Sequence, residues 1–287
     1  MIGAQTGRFA KIRYRLGASW LSLWLGGFIT LCLFATAILS YFWTPHSVAR
    51  MNMRARLQAP SLEHLLGTDH FGRDILSLLM IGSQSALKIG IVAVAIGLVL
   101  GVLLGLAATA RGGWFEELAM RASDLLFAFP VVLLAIMLAA TFGPGSVTSM
   151  IAIGVHNIPI FARLTRGGAK SILAREFVMA SRVAGRSSSY IAALHVLPNV
   201  LNILVVQATI SFAIAILADA ALGYLGLGTQ PPTPTWGRML KDAQSFLSQS
   251  PYLAIFPGLA IAFTVLGLNL FGDALRDLLD PRSSQGR

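Results

Sequence analysis

Four ionisable side chains lie within or beside long apolar stretches, where charged groups are rare. They are Asp124, His156, Arg163 and Asp219. Ionisable groups inside a bilayer are costly, and they often mark pathways, relays or ion pairs. Catalysis would require a Ser/His/Asp set or two carboxylates that converge, and the spacing of these residues predicts neither. The sequence therefore predicts that the chain is not an enzyme.

His156 and Asn157 lie deepest in their apolar stretch, close to Pro159. We expect them either to face a translocation path or to form hydrogen bonds between helices. Asp124 and Arg163 lie near the predicted membrane boundaries, where snorkelling or helix capping would explain their presence.

Two further groups of residues resemble binding sites only in part. His64, Asp69, His70 and Asp74 could bind a metal, but a turn with Asp69 as a helix cap fits their spacing better. Residues 168–171 (GAKS) depart from the phosphate-binding pattern G-x-x-x-x-G-K-[ST], and no hydrophobic strand precedes them. We therefore expect no metal, nucleotide or other cofactor in this chain.

Composition indicates which elements must position these residues. The chain has 287 residues, of which 55% are hydrophobic and 12% are charged. Soluble domains carry about 25% charged residues, so lipid must cover much of this surface. A spanning helix needs about 20 apolar residues. Six stretches meet that length, which predicts an all-α polytopic membrane protein with six transmembrane helices: 19–43, 88–110, 118–142, 147–164, 200–222 and 253–271.

Glycines recur at helical spacing along the second stretch, at Gly90, Gly97, Gly101 and Gly105. Glycines on one face of a helix allow neighbouring backbones to approach closely in lipid. The second helix is therefore predicted to pack inside the bundle.

Lysine and arginine are distributed unevenly among the connections. With the N-terminus inside, fifteen of the 22 lie in predicted cytoplasmic segments, so both termini are predicted to be cytoplasmic. The net charge of +10 is assigned to loops that face anionic lipid. Nucleic-acid binding is not expected, because no basic stretch is interleaved with exposed aromatic residues.

The basic connection 163–198 is long for a simple loop and is the predicted functional element. Its apolar residues recur on one helical face: Ile172, Leu173, Phe177, Ala180 and Ala184. Gly185 is predicted to be a left-handed C-cap, the serines after it an N-cap, and Pro198 the start of the next span. An amphipathic helix of this kind could lie on lipid or fill a groove on a cytoplasmic protein. Periodicity alone does not distinguish these two roles.

Residues 176–185 (EFVMASRVAG), followed after nine residues by HVLPN, resemble the EAA–glycine–LP loop of ABC importer permeases. In that family the helix of this loop inserts into a cleft on a separate ATPase subunit. Met179 replaces the family's first glutamate and Ser181 its second alanine, so we expect docking through shape and apolar contact. The resemblance implies a coupling loop of Leu173, Glu176, Phe177, Ala180, Ser181, Ala184, Gly185, Leu197 and Pro198.

Other segments narrow the resemblance. Residues 64–74 (HLLGTDHFGRD) and 225–239 (LGLGTQPPTPTWGRM) are similar to signatures of the second permease of dipeptide, oligopeptide and nickel ABC importers. Residues 256–260, 269–277 and 280–282 fit the same pattern. The resemblance implies a type I ABC importer permease fold. Residues 1–80 would form a cytoplasmic tail, the first helix and an outer loop, and residues 81–287 the five-helix permease domain.

The same resemblance implies a permease subunit of an ATP-driven importer of peptides or similar small solutes in a bacterial inner membrane. Its expected partners are a homologous permease, two subunits that bind ATP and Mg, an extracytoplasmic solute-binding protein and membrane lipid. The segment 228–250 could touch that binding protein or only cap the bundle. The alternative is a stand-alone secondary transporter or channel, which should show repeated halves or broken helices around a midplane site.

Overall fold

The computed structural model describes residues 3–279, with the side chains of residues 20–279. This range is almost entirely helical and contains no named strand, which confirms the all-α prediction. The predicted motif at residues 280–282 and the basic side chains of the N-terminal tail lie outside what the structure describes. The α-helices are α1 (Gly3–Phe42), α2 (Ile75–Arg111), α3 (Gly113–Ala128), α4 (Val131–Phe142), α5 (Ser146–Leu173), α6 (Glu176–Val183), α7 (Ser188–Ile191), α8 (Leu197–Leu225), α9 (Trp236–Ala243) and α10 (Tyr252–Leu279).

Five helical segments are long and apolar enough to cross a membrane, and α3 with α4 forms a sixth if the pair is one span. The third predicted span was expected to be a single helix, but it is broken, with an angle of 87° between its halves. Pro130 explains the break. The residue before a proline avoids the helical region, and Phe129 is extended, with φ −82° and ψ 122°.

Helices α2 and α5 form the closest pair in the bundle, as the glycine spacing predicts. A Cβ added at Gly101 would lie 2.6 Å from the Ile158 carbonyl oxygen, and one added at Gly105 would lie 2.6 Å from the Ala162 carbonyl oxygen. Neither distance leaves room for a side chain. These two glycines therefore bring the backbones of α2 and α5 into direct contact.

Helix α1 packs along α10 through a second pair of glycines. Gly26 lies against the backbone of α10 near Phe271, and Gly267 lies against Ile29 of α1. The predicted domain boundary between residues 80 and 81 falls inside α2, because that helix begins at Ile75.

The segment between α1 and α2 is held by two carboxylates with different roles. Asp69 Oδ1 accepts hydrogen bonds from the backbone N–H groups of Phe71 and Arg73, both at 2.8 Å. Asp74, and not Asp69 as predicted, is the N-cap of α2, and its Oδ2 accepts from the Ser77 N–H at 2.8 Å. Asp69 cannot cap that helix because both of its oxygens hold the preceding turn and the Arg73 guanidinium.

The segment 228–250 folds back over the same end of the bundle. The Trp236 Nε1–H donates to the Leu79 carbonyl oxygen at 3.0 Å, and the indole ring fills the space beside Gly82. His70 stacks on Phe246 with ring centroids 5.2 Å apart. These contacts give the segment the predicted capping role, while contact with a binding protein stays a prediction.

Candidate functional site

In the predicted coupling loop, the helical structure is interrupted between α5 and α6. Helix α5 extends nine residues beyond its predicted end, to Leu173, and α6 begins at Glu176. A single amphipathic helix from Ile172 to Ala184 was expected, and this expectation is wrong. Arg175 has φ −81° and ψ 148°, an extended conformation that separates the two helices. The apolar face inferred from one uninterrupted period therefore does not exist.

One side chain of α6 is fully buried in the bundle. Val178 has no exposed surface, and it belongs to the same apolar cluster as Ile172, Ile191 and Val196. These partners come from the end of α5 and from the helical turns before α8. Helix α6 thus shares a buried apolar cluster with the segments that flank it on both sides in sequence.

The remaining apolar side chains of α6 are largely exposed, although the Phe177 ring also meets His195 in the turn before α8. Phe177 is 42% exposed, Met179 52% and Val183 91%. Ala180 and Ala184 are exposed as well. Burial of a single valine leaves most of the apolar surface of this short helix uncovered. An uncovered apolar surface on an ordered helix is typical of an interaction site.

Gly185 ends α6 in the predicted left-handed conformation, with φ +75°. The Gly185 N–H donates to the Arg182 carbonyl oxygen at 2.9 Å, and the Arg186 N–H donates to the Ser181 carbonyl oxygen at 3.2 Å. This pair of bonds is the Schellman arrangement of a helix C-terminus. The predicted N-cap is also present, because Ser187 Oγ accepts from the Tyr190 N–H at 3.2 Å.

Pro198 lies in the first turn of α8, as predicted, but α8 is not the start of the helical run that crosses the membrane. A helical run begins earlier, at Ser188, and passes through a π-helical turn at Ala192–Val196 before α8. The wider turn lies where the proline ring would otherwise clash with the carbonyl group one turn back. Leu197 is half-buried beside Pro198, and His195 in the wide turn meets Phe177 of α6 edge to face, with centroids 5.6 Å apart.

An ion-pair network that the sequence did not predict joins α3 to the base of α5. Glu116 binds both Arg166 and Lys170, which lie one turn apart on α5. Asp124 pairs with Arg163 at 3.1 Å, so the prediction that these two residues only snorkel or cap helices is wrong. The i, i+4 spacing of Arg166 and Lys170 was a signal for a shared partner, but the partner is fifty residues away.

The predicted path residues, His156 and Asn157, occupy different environments. Asn157 is 3% exposed and lies against Gly97 at the contact of α2 with α5, which favours the helix-packing alternative. His156 is half-buried, and its ring stacks on Phe127 with centroids 5.7 Å apart. A path-lining role for either residue stays a prediction.

Residues 97–285 match the family model described as a binding-protein-dependent transport system inner membrane component. The chain is 44% identical to the dipeptide transport system permease protein DppC of Alkalihalophilus pseudofirmus, over 89% of this chain and 82% of that protein. It is 45% identical to the di/tripeptide permease DppC of Pseudomonas aeruginosa, covering 79% and 75% of the two chains. Its identity to the glutathione permease GsiD of Escherichia coli is 45%, covering 78% and 74%.

Solved structures share the fold at low sequence identity. The inward-facing MetNI methionine ABC transporter matches with a TM-score of 0.58 and 19% identity, over 71% of this chain and 96% of that chain. An amino acid ABC transporter with histidines matches with a TM-score of 0.54 and 15% identity, over 70% and 94%. The type I importer permease fold is thereby confirmed.

A family match over most of the transmembrane region and relatives above 40% identity agree with each other. Components of this family take part in transport, in agreement with the prediction that the chain is not itself an enzyme. The chain belongs to the family of inner membrane components of binding-protein-dependent transport systems, among the ABC importer permeases of the dipeptide type.

Proposed function

We propose that this chain forms one half of the translocation path of a peptide importer, together with a homologous permease. Three relatives are named for the transport of dipeptides, di- or tripeptides and glutathione, which supports short peptides as the substrate class. Two ATP-binding subunits hold ATP and Mg on the cytoplasmic side, and a solute-binding protein delivers the peptide from outside. Both termini of the chain are cytoplasmic, in a bacterial inner membrane.

The observation that carries this proposal is the exposed apolar surface of α6. Phe177, Met179 and Val183 are exposed on a helix whose one buried side chain is Val178. In our proposal this surface fills a cleft on an ATP-binding subunit. Met179 suits that role without the glutamate that relatives often carry, because an unbranched thioether adapts to irregular apolar surfaces.

The motion of the ATP-binding subunits reaches the membrane through the two ends of α6. Val178 lies in the same buried cluster as the end of α5 and the turns before α8, and Phe177 meets His195 of those turns, so in our proposal a shift of α6 moves both helices together. The close backbone contact of α2 with α5 carries the same shift into the bundle. Access to the path between the two permeases then alternates between the two sides of the membrane.

Site-directed photo-crosslinking tests the docking surface. The only cysteine is Cys32, so a Cys32→Ser background permits labelling of a single introduced cysteine with benzophenone maleimide. Met179→Cys places the label on α6, and Leu62→Cys, at a residue that is 99% exposed in the segment before α2, is the matched control. We expect irradiation to join position 179, and not position 62, to an ATP-binding subunit. Equal crosslinking at both positions, or none at position 179, contradicts the proposal.

The same two variants test the orientation of the chain. In right-side-out vesicles that hold the chain without the ATP-binding subunits, a membrane-impermeant maleimide should label position 62 and leave position 179 unlabelled until the membrane is permeabilised. Transport of a dipeptide by the purified chain alone in liposomes would favour the alternative of a stand-alone transporter.

A further inference from the structure

A cluster of three potential metal ligands lies on the predicted outer side of the chain, far from the coupling loop. His46, His64 and Asp74 each place one ligand atom within 4.8 Å of the other two. His46 follows the end of α1, and Asp74 caps the start of α2. The cluster therefore bridges two transmembrane helices and the segment that connects them.

The cluster is buried and held in place by its neighbours. His64 is 7% exposed and Asp74 is 3% exposed, and His64 Nδ1 lies 3.0 Å from Asp74 Oδ1. The other oxygen of Asp74 accepts from the backbone N–H and the hydroxyl group of Ser77. Because those bonds fix the carboxylate, Oδ1 remains directed at the histidine.

His46 is fixed by two further bonds. Its backbone N–H donates to Ser77 Oγ at 3.0 Å, and its Nε2 lies 2.9 Å from the Glu63 carbonyl oxygen. An Nε2–H that donates to this carbonyl leaves Nδ1 with a free lone pair. Histidines that bind metals commonly have this arrangement, in which the second ring nitrogen donates to a backbone carbonyl or a carboxylate. The imidazole rings of His46 and His64 lie 4.5 Å apart, centroid to centroid.

We propose that His46, His64 and Asp74 bind a divalent transition-metal ion of the Zn²⁺ class. Two imidazoles and one carboxylate are a ligand set that Zn²⁺ accepts, with water at the fourth position. Magnesium and calcium ions prefer an all-oxygen environment, which this cluster lacks. His46 is only half-buried, so the site is open to solvent on that side. The bound ion fastens the segment after α1 to the first turn of α2.

The other residues that the sequence made candidates for metal binding have different partners. Both oxygens of Asp69 are used by the turn and by Arg73, and the His70 ring stacks on Phe246. His70 is thus a matched control, since it is a histidine of the same segment outside the cluster. His46, which completes the set, precedes His64 by eighteen positions and has no metal-site spacing with it.

Titration calorimetry of the full chain, purified with a histidine-free tag and stripped with chelator, tests the site with Zn²⁺ alone. We expect one equivalent of Zn²⁺ to bind to the wild type and to His70→Gln, and Mg²⁺ not to compete. His46→Gln keeps an N–H for the Glu63 carbonyl group but removes a ligand. It should weaken binding by more than about tenfold, since even outer partners of metal sites contribute 10–100-fold.

Thermal unfolding with and without Zn²⁺ supplies a second measurement. Zn²⁺ should raise the unfolding midpoint of the wild type and of His70→Gln, and should raise that of His46→Gln by a clearly smaller amount. His46→Asn provides the same comparison if His46→Gln does not fold. Absence of stoichiometric Zn²⁺ binding in the wild type, or equal binding after loss of His46, would overturn the proposal. The outcome is independent of peptide transport.

Discussion

Substitution of Gly101 by alanine tests whether the backbones of α2 and α5 are in direct contact at this position. The added Cβ would lie 2.6 Å from the Ile158 carbonyl oxygen and 2.7 Å from the Phe161 Cβ. Non-bonded heavy atoms are most favourable about 3.5–4.0 Å apart, so the two helices must separate by on the order of 1 Å. The Ile158 oxygen belongs to the backbone and cannot rotate away as a side chain could.

The magnitude follows from two opposing effects. Overpacking a close contact costs about 1–3 kcal/mol, while alanine in a helix gains about 1 kcal/mol over glycine. Gly167 of α5 is the matched control, because no heavy atom lies within 4 Å of a Cβ added there. Gly167→Ala receives only the favourable effect. The difference between the two variants should therefore be about 1–3 kcal/mol, which isolates the steric cost.

Thermal unfolding of the purified chains, in one detergent and at one heating rate, measures this difference. One kcal/mol corresponds to about 2–4 °C for chains of 150–250 residues, so Gly101→Ala should melt several degrees below Gly167→Ala. A midpoint for Gly101→Ala at or above that of Gly167→Ala would refute the close contact. The wild type should lie between the two variants.

Two further predictions concern charged groups at opposite ends of the bundle. Glu116→Gln leaves Arg166 and Lys170 without their shared partner and should lower the unfolding midpoint. The control is Glu117→Gln at the exposed neighbouring residue, whose stability should stay within about 0.5 kcal/mol of wild type. Equal effects of the two substitutions would show that the ion-pair network does not stabilise the fold. Burial lowers the pKa of His70, so the folded chain favours the neutral ring. The resulting stability is fully present above the ordinary histidine pKa of about 6.5 and is lost as the pH falls through the lowered value. The drop in midpoint between pH 7 and pH 5 should therefore be smaller in His70→Gln, and an unchanged drop would count against this role.

The sequence predicted the existence and packing of the helices better than the places where one helix breaks and the next begins. Glycines at helical spacing in the second stretch correctly indicated a helix packed against backbone, because only glycine permits that approach. Gly185 and the serines after it correctly indicated the end of one helix and the start of another. Both signals are local, since each depends on the conformation of one or two residues.

Features that depend on distant partners were not predictable in this way. Pro130 indicated a helix interruption, but an 87° bend depends on how the two halves pack. Arg175 carries no strong helix-breaking signal, so the sequence did not predict the break between α5 and α6. The predicted apolar helical face was therefore wrongly continued across that break. Glu116 lies about fifty residues before Arg166 and Lys170, its basic partners on α5. His46 comes close to His64 only because of the path that the segment before α2 takes. No spacing rule connects such residues.

Gly185 offers the most direct test of our proposal that α6 couples ATP hydrolysis to transport. Gly185 has φ +75° with no heavy atom within 4 Å of an added Cβ, so Gly185→Val strains the backbone without a clash. The strain is about 1–2 kcal/mol, which corresponds to a roughly 5–30-fold change in a two-state population. Gly143→Val is the control, because Gly143 also has a positive φ (+83°, with ψ 157°) and equally open surroundings after α4, in a backbone region that side chains tolerate even less than the left-handed helical one.

The measurement is peptide uptake and ATP hydrolysis in the same proteoliposomes, which contain both permeases, the ATP-binding subunits and the binding protein. We expect that Gly185→Val inserts normally and retains hydrolysis while the ratio of uptake to hydrolysis falls about 5–30-fold, and that Gly143→Val keeps the wild-type ratio. An unchanged ratio in Gly185→Val, with the protein inserted at wild-type levels, would contradict the assignment of α6 as the coupling element.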